Sequence, residues 1–259
     1  MYKVGLSSCG KVLDESLFAA YAKQGIDAIE ISPNWPDYKT LDYGKIKALA
    51  DQYGIMLWSY HLPFQVPDVS TTDSPWRLCS VEYMCETIKQ ASNIGIHHFV
   101  LHAGMELGKD DDKAARIACA KDSVNKLADF AARYNSYICI EDLPRNNIGN
   151  CSDDIVELLS VNDNLRECFD TNHLLNEDYV HFIKRVGNKI ATLHVSDYDF
   201  VDERHWLPGK GNIDWNKLIG ALNEAGYNGV WMYEIGGHPN ETNYVQNARG
   251  LFENYKNRG

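Results

Sequence analysis

A (β/α)8 barrel is the fold class that this sequence predicts, and three observations carry the prediction. Eight short apolar runs, mostly β-branched or aromatic, alternate with helical stretches along 259 residues. Most of these runs stop at a polar side chain, often His, Asp or Glu. No linker or shift in composition divides the chain, so a single domain over residues 1–259 is expected. Such alternation calls for a parallel sheet, because each strand needs a crossover before the next can run alongside it. A barrel of eight such units occupies about 250 residues.

Val4 to Ser8 reads as the first strand, and Asp14 opens a helical stretch to Gln24 that Gly25 closes. Ala28 to Ile31 is the second strand, ending in Glu30-Ile31-Ser32, and a loop rich in Pro and aromatics follows. Asp42 caps a helix with Ile46, Leu49, Ala50 and Tyr53 at helical spacing. Gly54 ends it, and Ile55 to Tyr60 is the third strand, followed by His61. Leu62 to Ser74 is a long loop, of a kind that often serves as a lid. Pro75 suits the first turn of the next helix, which runs to about Ile94. His98 to Leu101 is the fourth strand, ended by His102 and Gly104. Asp110 to Asp112 then place negative charge at the start of a long Ala-rich helix, where the helix dipole favours it, and read as a solvated cap.

Tyr137 to Ile140, the fifth strand, leads into Glu141-Asp142-Leu143-Pro144. Ser152 is placed to cap a helix through Leu159. Leu165 to Phe169 precedes Asp170-Thr171-Asn172-His173, and a helix from Asp178 to Val186 leads to the seventh strand, Ile190 to Val195, with His194 near its end. The loop beyond is dense in Asp, Glu, Arg and His and ends at Pro208, Gly209 and Gly211. Asp214 is placed to accept the free N–H groups of the following helix. Gly229 to Tyr233 is the eighth strand, ended by Glu234, and Asn240 to Tyr255 reads as the last helix.

The chain is 44% hydrophobic and 24% charged, an ordinary soluble composition. Its formal net charge of -11 argues against a nucleic-acid partner, whose phosphates must be neutralised. No apolar run reaches the length of a membrane span, about 18 residues. Met1 to Leu6 passes straight into a strand pattern with no basic segment and long apolar run before it, so no secretory leader is expected. Seven cysteines, odd in number and without CxxC, read as reduced core thiols of a cytoplasmic protein. Cys9, just after the first strand, is the thiol placed to line a site.

In a barrel of this kind the C-terminal ends of the strands meet on one face, where active sites are built. His61, His102, Glu141, Asp170, His194 and Glu234 stand there, on strands three to eight in turn. Core packing alone does not account for apolar strands that each stop at a metal-ligand type. Several carboxylates desolvated at one spot are costly unless a cation offsets them. One divalent ion held by Glu141, Asp170, His194 and Glu234 would do so, and this donor set suits Mn2+, Mg2+, Co2+ or Zn2+ alike. Trp35, Trp58, Phe64 and Trp206 flank the predicted mouth, where they either stack on a ligand or pack.

Six short motifs occur in order: LHAG at Leu101 to Gly104, IEDLP at Ile140 to Pro144, FDTNH at Phe169 to His173, LHVSD at Leu193 to Asp197, RHWLPGKGNIDW at Arg204 to Trp215, and YEI at Tyr233 to Ile235. In these the chain resembles, over essentially its whole length, the sugar isomerase/epimerase superfamily with the xylose-isomerase-like barrel, and within it the ketose 3-epimerases. The resemblance implies that Glu141, Asp170, His194 and Glu234 hold the ion, that His173 and Arg204 contact substrate oxygens, and that His61 and His102 join the substrate site. A carbonyl and neighbouring hydroxyl chelated by the ion would favour an enediolate. Glu141 and Glu234, from strands across the barrel, would then exchange a proton on opposite faces of the carbon. The substrate implied is a small sugar or polyol, and a homo-oligomer is implied as well. Read from the residues alone, His173 has the alternative of capping the helix after strand six, and Arg204 that of anchoring the loop in a pair with Asp202 or Glu203.

Three rivals stay open. The endonuclease-IV-like branch of the superfamily holds three zincs, and His61, His102, His173, Glu203 and His205 are candidates for the extra positions, with Glu203 where that branch carries Asp. A dehydratase of a cyclic polyol could use the same base and metal. A sugar-binding barrel without turnover has no need of two opposed proton carriers.

Overall fold

The computed structural model describes residues 2–34, 37–64, 66–236 and 243–257. The strands are β1 (Val4–Ser7), β2 (Ala28–Ile31), β3 (Met56–His61), β4 (His98–His102), β5 (Tyr137–Glu141), β6 (Leu165–Asp170), β7 (Ile190–His194) and β8 (Trp231–Tyr233). Between and after them run α1 (Glu15–Lys23), α2 (Tyr43–Tyr53), α3 (Ser74–Ser92), α4 (Lys113–Ala132), α5 (Ser152–Leu159), α6 (Tyr179–Val186), α7 (Trp215–Glu224) and α8 (Tyr244–Lys256). All strand pairs are parallel, in the order β7-β6-β5-β4-β3-β2-β1-β8. The ring closes between β7 and β8 just past the end of β7, where the Val195 N–H donates to the Met232 carbonyl at 2.8 Å. The expected (β/α)8 barrel is therefore the observed fold. Among the described residues no helix is long and apolar enough to cross a membrane.

Capping explains most helix starts. Asp14, Asp42, Asp73, Asp112, Asp178 and Asp214 each accept a backbone N–H of the first turn of their helix. The acidic run at 110–112 thus begins α4 as expected. Ser152 does not cap α5: Cys151 occupies that position, and Glu177 reaches over to accept from the Ser152 N–H (2.7 Å) and Oγ (2.6 Å). A carboxylate is the stronger acceptor for these donors. The last helix starts at Tyr244, capped by Asn243; the expected start at Asn240 lies outside the described residues.

Successive side chains on a strand face opposite sides. One set faces the helices and builds the main core, with Phe99, Leu101, Ile138, Ile140, Phe169 and Leu193. The other set fills the barrel in layers. Ala28, Val230 and Met232 pack with Met56 and Trp58, and Val100, Cys139 and Cys168 with Tyr137 and Ala191. Trp58 therefore plugs the barrel interior and does not flank the mouth: its Nε1 donates across the barrel to Thr192 Oγ1 (3.0 Å) and its ring stacks on His98 at 4.3 Å. All seven cysteines are free, but only Cys139 and Cys168 are buried, so the expectation of core thiols holds for two of them.

Two loops over the rim are fastened by buried polar side chains. The loop after β3 is pinned by Arg116, whose guanidinium holds Asp68 (2.8 Å), Ser70 Oγ (2.7 Å) and Asp111 (3.1 Å). A Cβ on Gly104 would meet Ser70 Oγ at 2.7 Å, so the glycine of LHAG lets this loop lie close. The loop after β7 is wound around the buried Asp197, which accepts from the Tyr198, Gly209 and Ile213 N–H groups and from Trp215 Nε1. Here a Cβ on Gly211 would stand 2.3 Å from the Tyr198 carbonyl oxygen. Gly211→Ala should therefore cost about 2 kcal/mol through overpacking and lower the calorimetric melting temperature by roughly 4–8 °C. An unchanged melting temperature would contradict this account of the motif.

Candidate metal centre

The layer above Val100, Cys139, Cys168 and Met232 is polar all round. Steps of two residues carry Val100 to His102, Cys139 to Glu141, Cys168 to Asp170 and Met232 to Glu234. His194 joins them at the end of β7, and Glu30 from β2. Glu30, Glu141, Asp170 and His194 are at most 1% exposed. One ligand atom from each of Glu141, Asp170, His194 and Glu234 can be chosen so that all four lie within 4.8 Å of one another. His194 Nδ1 is 2.8 Å from Glu141 Oε1, 3.3 Å from Glu234 Oε2 and 3.8 Å from Asp170 Oδ2.

Cys168 also comes together with Glu141 and His194, and two further groups adjoin this one: His61 and His102 on Glu141, and His173 with Glu203 and His205. Glu141 Oε2 is 3.2 Å from His61 Nε2 and 3.0 Å from His102 Nε2. Phe64, from the pinned loop, covers this side, its ring 4.8 Å from that of His61 and 4.5 Å from that of His102.

Hydrogen bonding orients the imidazoles. His61 Nδ1 is 2.9 Å from the Leu62 carbonyl, His173 Nδ1 2.7 Å from the Asp142 carbonyl, and His205 Nδ1 3.3 Å from the Glu234 carbonyl. A carbonyl only accepts, so each Nδ1 carries the hydrogen and each Nε2 is left for a proton or a cation. For His61 and His173 that Nε2 faces carboxylates, with His173 Nε2 3.5 Å from Glu203 and 3.7 Å from Asp170. Asp170 Oδ2 is buried with no hydrogen-bond partner. An orphaned carboxylate oxygen aimed into a group of carboxylates and an imidazole fits a divalent cation.

Electrostatics points the same way. Burial alone would raise Glu141, yet His194 and His102 hold it well below the usual carboxylate range. Burial and then Glu234 and Glu141 push Asp170 well above it. Burial opposes a charged His194, but Cys168, Glu234, Glu30 and Glu141 outweigh it and raise its pKa well above the usual value. Burial likewise opposes a charged His61, which Glu141 nevertheless raises, whereas burial prevails at His102 and lowers it.

The other expected site residues fall as follows. His173 sits in the third group and also donates to Asp142, as noted. Arg204 pairs with neither Asp202 nor Glu203. Its guanidinium holds Asp199 (2.9 Å) and lies over Trp206 at 5.9 Å, while Arg145 takes Asp202 and Glu203. Asp199 bonds the backbone N–H groups of Val201 and Asp202, so the carboxylate that fixes this turn is also the one nearest Arg204. Cys9 lines a cavity of about 150 Å3 with Ser32, Tyr38, Phe64 and Glu234. Trp35 lies outside the described residues.

Residues missed in the sequence act behind these groups. Asp142 Oδ1 accepts the Asp170 N–H (2.7 Å), tying the ends of β5 and β6. Asn172 Oδ1 accepts the Arg204 N–H (2.9 Å), carrying the FDTNH motif to the Glu203–His205 turn. Glu30 meets His194 directly. Asp142 and Asn172 stood inside the IEDLP and FDTNH motifs without a role of their own, and Glu30 showed only as an acidic residue in an apolar strand.

In the metal-free protein the raised Asp170 and His194 retain protons further up the pH scale than such groups ordinarily do. A cation must displace those protons, so its affinity should fall as pH falls, and binding should release protons. Calorimetry in two buffers of different ionisation enthalpy reads that release; a pH-independent affinity without proton release would contradict it.

Comparison with known proteins agrees with this architecture. The family model described as "Xylose isomerase-like TIM barrel" matches residues 18–254. D-psicose 3-epimerase of Agrobacterium fabrum is 25% identical over 224 residues, covering 82% of this chain and 76% of the relative. A probable endonuclease 4 of Acholeplasma laidlawii is 26% identical over 206 residues, covering 71% of this chain and 69% of the relative. The crystal structure of a D-tagatose 3-epimerase-like protein superposes with a TM-score of 0.89 at 21% identity, covering 99% of both chains. With its barrel closed and its polar rim assembled, the chain belongs to the xylose isomerase-like TIM barrel family.

Proposed function

We propose that this protein is a divalent-metal-dependent sugar isomerase or epimerase that moves a proton at the carbon next to a ketose or aldose carbonyl. The observation that carries the reading is the convergence of Glu141, Asp170, His194 and Glu234, with Asp170 Oδ2 left unpartnered. The resemblance to a D-psicose 3-epimerase supports the substrate class. A bound divalent ion would supply Lewis-acid charge to a carbonyl and its neighbouring hydroxyl.

The residues divide the proton work. Glu234 is the more open of the two glutamates, 18% exposed, and lines the small cavity with Cys9, Tyr38 and Phe64, so it is placed to take or return a proton from that side. Glu141 is buried and shares its Oε2 with His61 and His102. His102, 19% exposed, is the member of that pair through which a proton on Glu141 can reach solvent. Return of the proton to the opposite face of the same carbon gives an epimer, and return to the neighbouring carbon interconverts aldose and ketose.

A ketose and aldose panel in heavy water with added Mn2+, Co2+, Mg2+ or Zn2+ tests this by NMR. Deuterium should enter the substrate at one carbon. Glu141→Gln and Glu234→Gln should each slow that exchange at least about 100-fold at saturating metal. Undiminished exchange in either variant would remove that residue from the mechanism.

A second reading rests on the two adjoining groups. His61 with His102, and His173 with Glu203 and His205, offer places for two more cations beside the first. That is the donor arrangement a multi-zinc phosphodiester hydrolase would use, and the resemblance to a probable endonuclease 4 supports it. The net charge of -11 weighs against a DNA substrate. Elemental analysis separates the readings: one tightly held ion per chain favours sugar chemistry, and three zincs favour hydrolysis.

A further inference from the structure

Glu30 lies outside the four-residue ligand group, yet it is fully buried at the same rim. Three side chains from three other strands converge on its carboxylate. Ser7 Oγ of β1 donates to Oε1 (3.0 Å), Ser59 Oγ of β3 donates to Oε2 (2.8 Å), and His194 Nε2 of β7 stands 3.0 Å from Oε2. The β2–β3 register shifts between Ile29 and Glu30, so that Ile29 pairs with Leu57 but Glu30 with Ser59. This bulge turns the Ser59 hydroxyl inward beside Glu30, where unbroken alternation would send it towards the helices. A bulge and two serines are thus arranged to hold one carboxylate against His194.

The consequence lies in the imidazole. Both of its nitrogens face carboxylate oxygens, Nε2 towards Glu30 and Nδ1 towards Glu141, Glu234 and Asp170. A neutral imidazole has one N–H and one lone pair to distribute. If the hydrogen sat on Nδ1, it would donate to Glu141 and close the ligand group to a cation. We infer that Glu30 is the positioning residue that keeps the hydrogen of His194 on Nε2, so that the Nδ1 lone pair is presented to a cation held by Glu141, Asp170 and Glu234. The inference rests on the metal-dependent reading above. Glu30 touches neither cation nor substrate; it acts through His194, by orienting the ring and making its free nitrogen more basic.

The test is metal affinity, measured by chelator competition with Zn2+ and Mn2+, together with 15N NMR of the histidines in the Zn2+-loaded protein. Glu30→Gln keeps the size and removes the charge, and should weaken binding about 10-fold. Glu30→Ala removes the acceptor too and should weaken it about 100-fold. The melting temperature of metal-free Glu30→Gln should stay within about 3 °C of the parent, a change of no more than about 1 kcal/mol. In the parent, His194 should carry its hydrogen on Nε2. Parental affinity in Glu30→Gln, or an Nδ1-protonated His194 in the loaded parent, would overturn the inference. Should Glu30→Ala not fold, Ser59→Ala takes its place and should show a smaller loss of affinity, no loss counting against the inference. Asp170→Asn separates the two levels of the argument. If it weakens binding and Glu30→Gln does not, only the role of Glu30 fails; if the parent binds no divalent ion, the metal-dependent reading fails with it.

Discussion

Buried negative charge is the constraint on which the rest of this structure depends. Glu30, Glu141, Asp170 and, partly open, Glu234 stand at one rim with His194 among them. Ionised carboxylates so far from water are costly unless positive charge or hydrogen bonds compensate them. Imidazoles supply part of that compensation, which is why His194 is raised and Glu141 lowered. The orphaned Asp170 Oδ2 is where compensation stops short among the described residues of this group. A cation in that position would complete the balance.

The barrel supplies precision, and the loops supply closure. Each candidate ligand stands at or one residue beyond the end of a strand whose preceding inward residue is buried in the barrel interior. Side chains on strands held this way vary less in position than side chains on loops. The loops are fastened by buried polar residues: Arg116 under the loop after β3, and Asp197 under the loop after β7. Asp142 and Asn172 join neighbouring strand ends to each other and to the turn carrying Glu203 and His205. None of these belongs to the candidate ligand group, yet each holds part of the site in place.

The site is also asymmetric. On one side Phe64 covers His61 and His102 and shields Glu141. On another, Glu234 opens to a small cavity. Two carboxylates of the same chemical type are thereby given different surroundings, one dry and braced by histidines, the other reachable. Environments that divide two similar groups in this way are how proteins assign opposite proton-transfer tasks to them.

Much of this was legible in the sequence. The eight-fold alternation determined the barrel, because a strand period of two and a helix period of 3.6 are local properties. The aspartates before five helices announced themselves by type and position, and the strand-end residues Glu141, Asp170, His194 and Glu234 stood out because metal-ligand types at the ends of apolar runs are chemically conspicuous. Tertiary structure decided what depends on partners distant in the chain. Arg204 went to Asp199 because that carboxylate is fixed by its own turn, leaving Asp202 and Glu203 to Arg145. Trp58 went inside the barrel because the β2–β3 register shift lets Trp58 and the strand-end His61, an odd number of residues apart, both face inward, and it finds Thr192 and His98 there. Glu30 became a partner of His194 across 164 residues of chain. Spacing along a chain records which face a side chain takes on its own strand; it carries no record of which strand lies opposite.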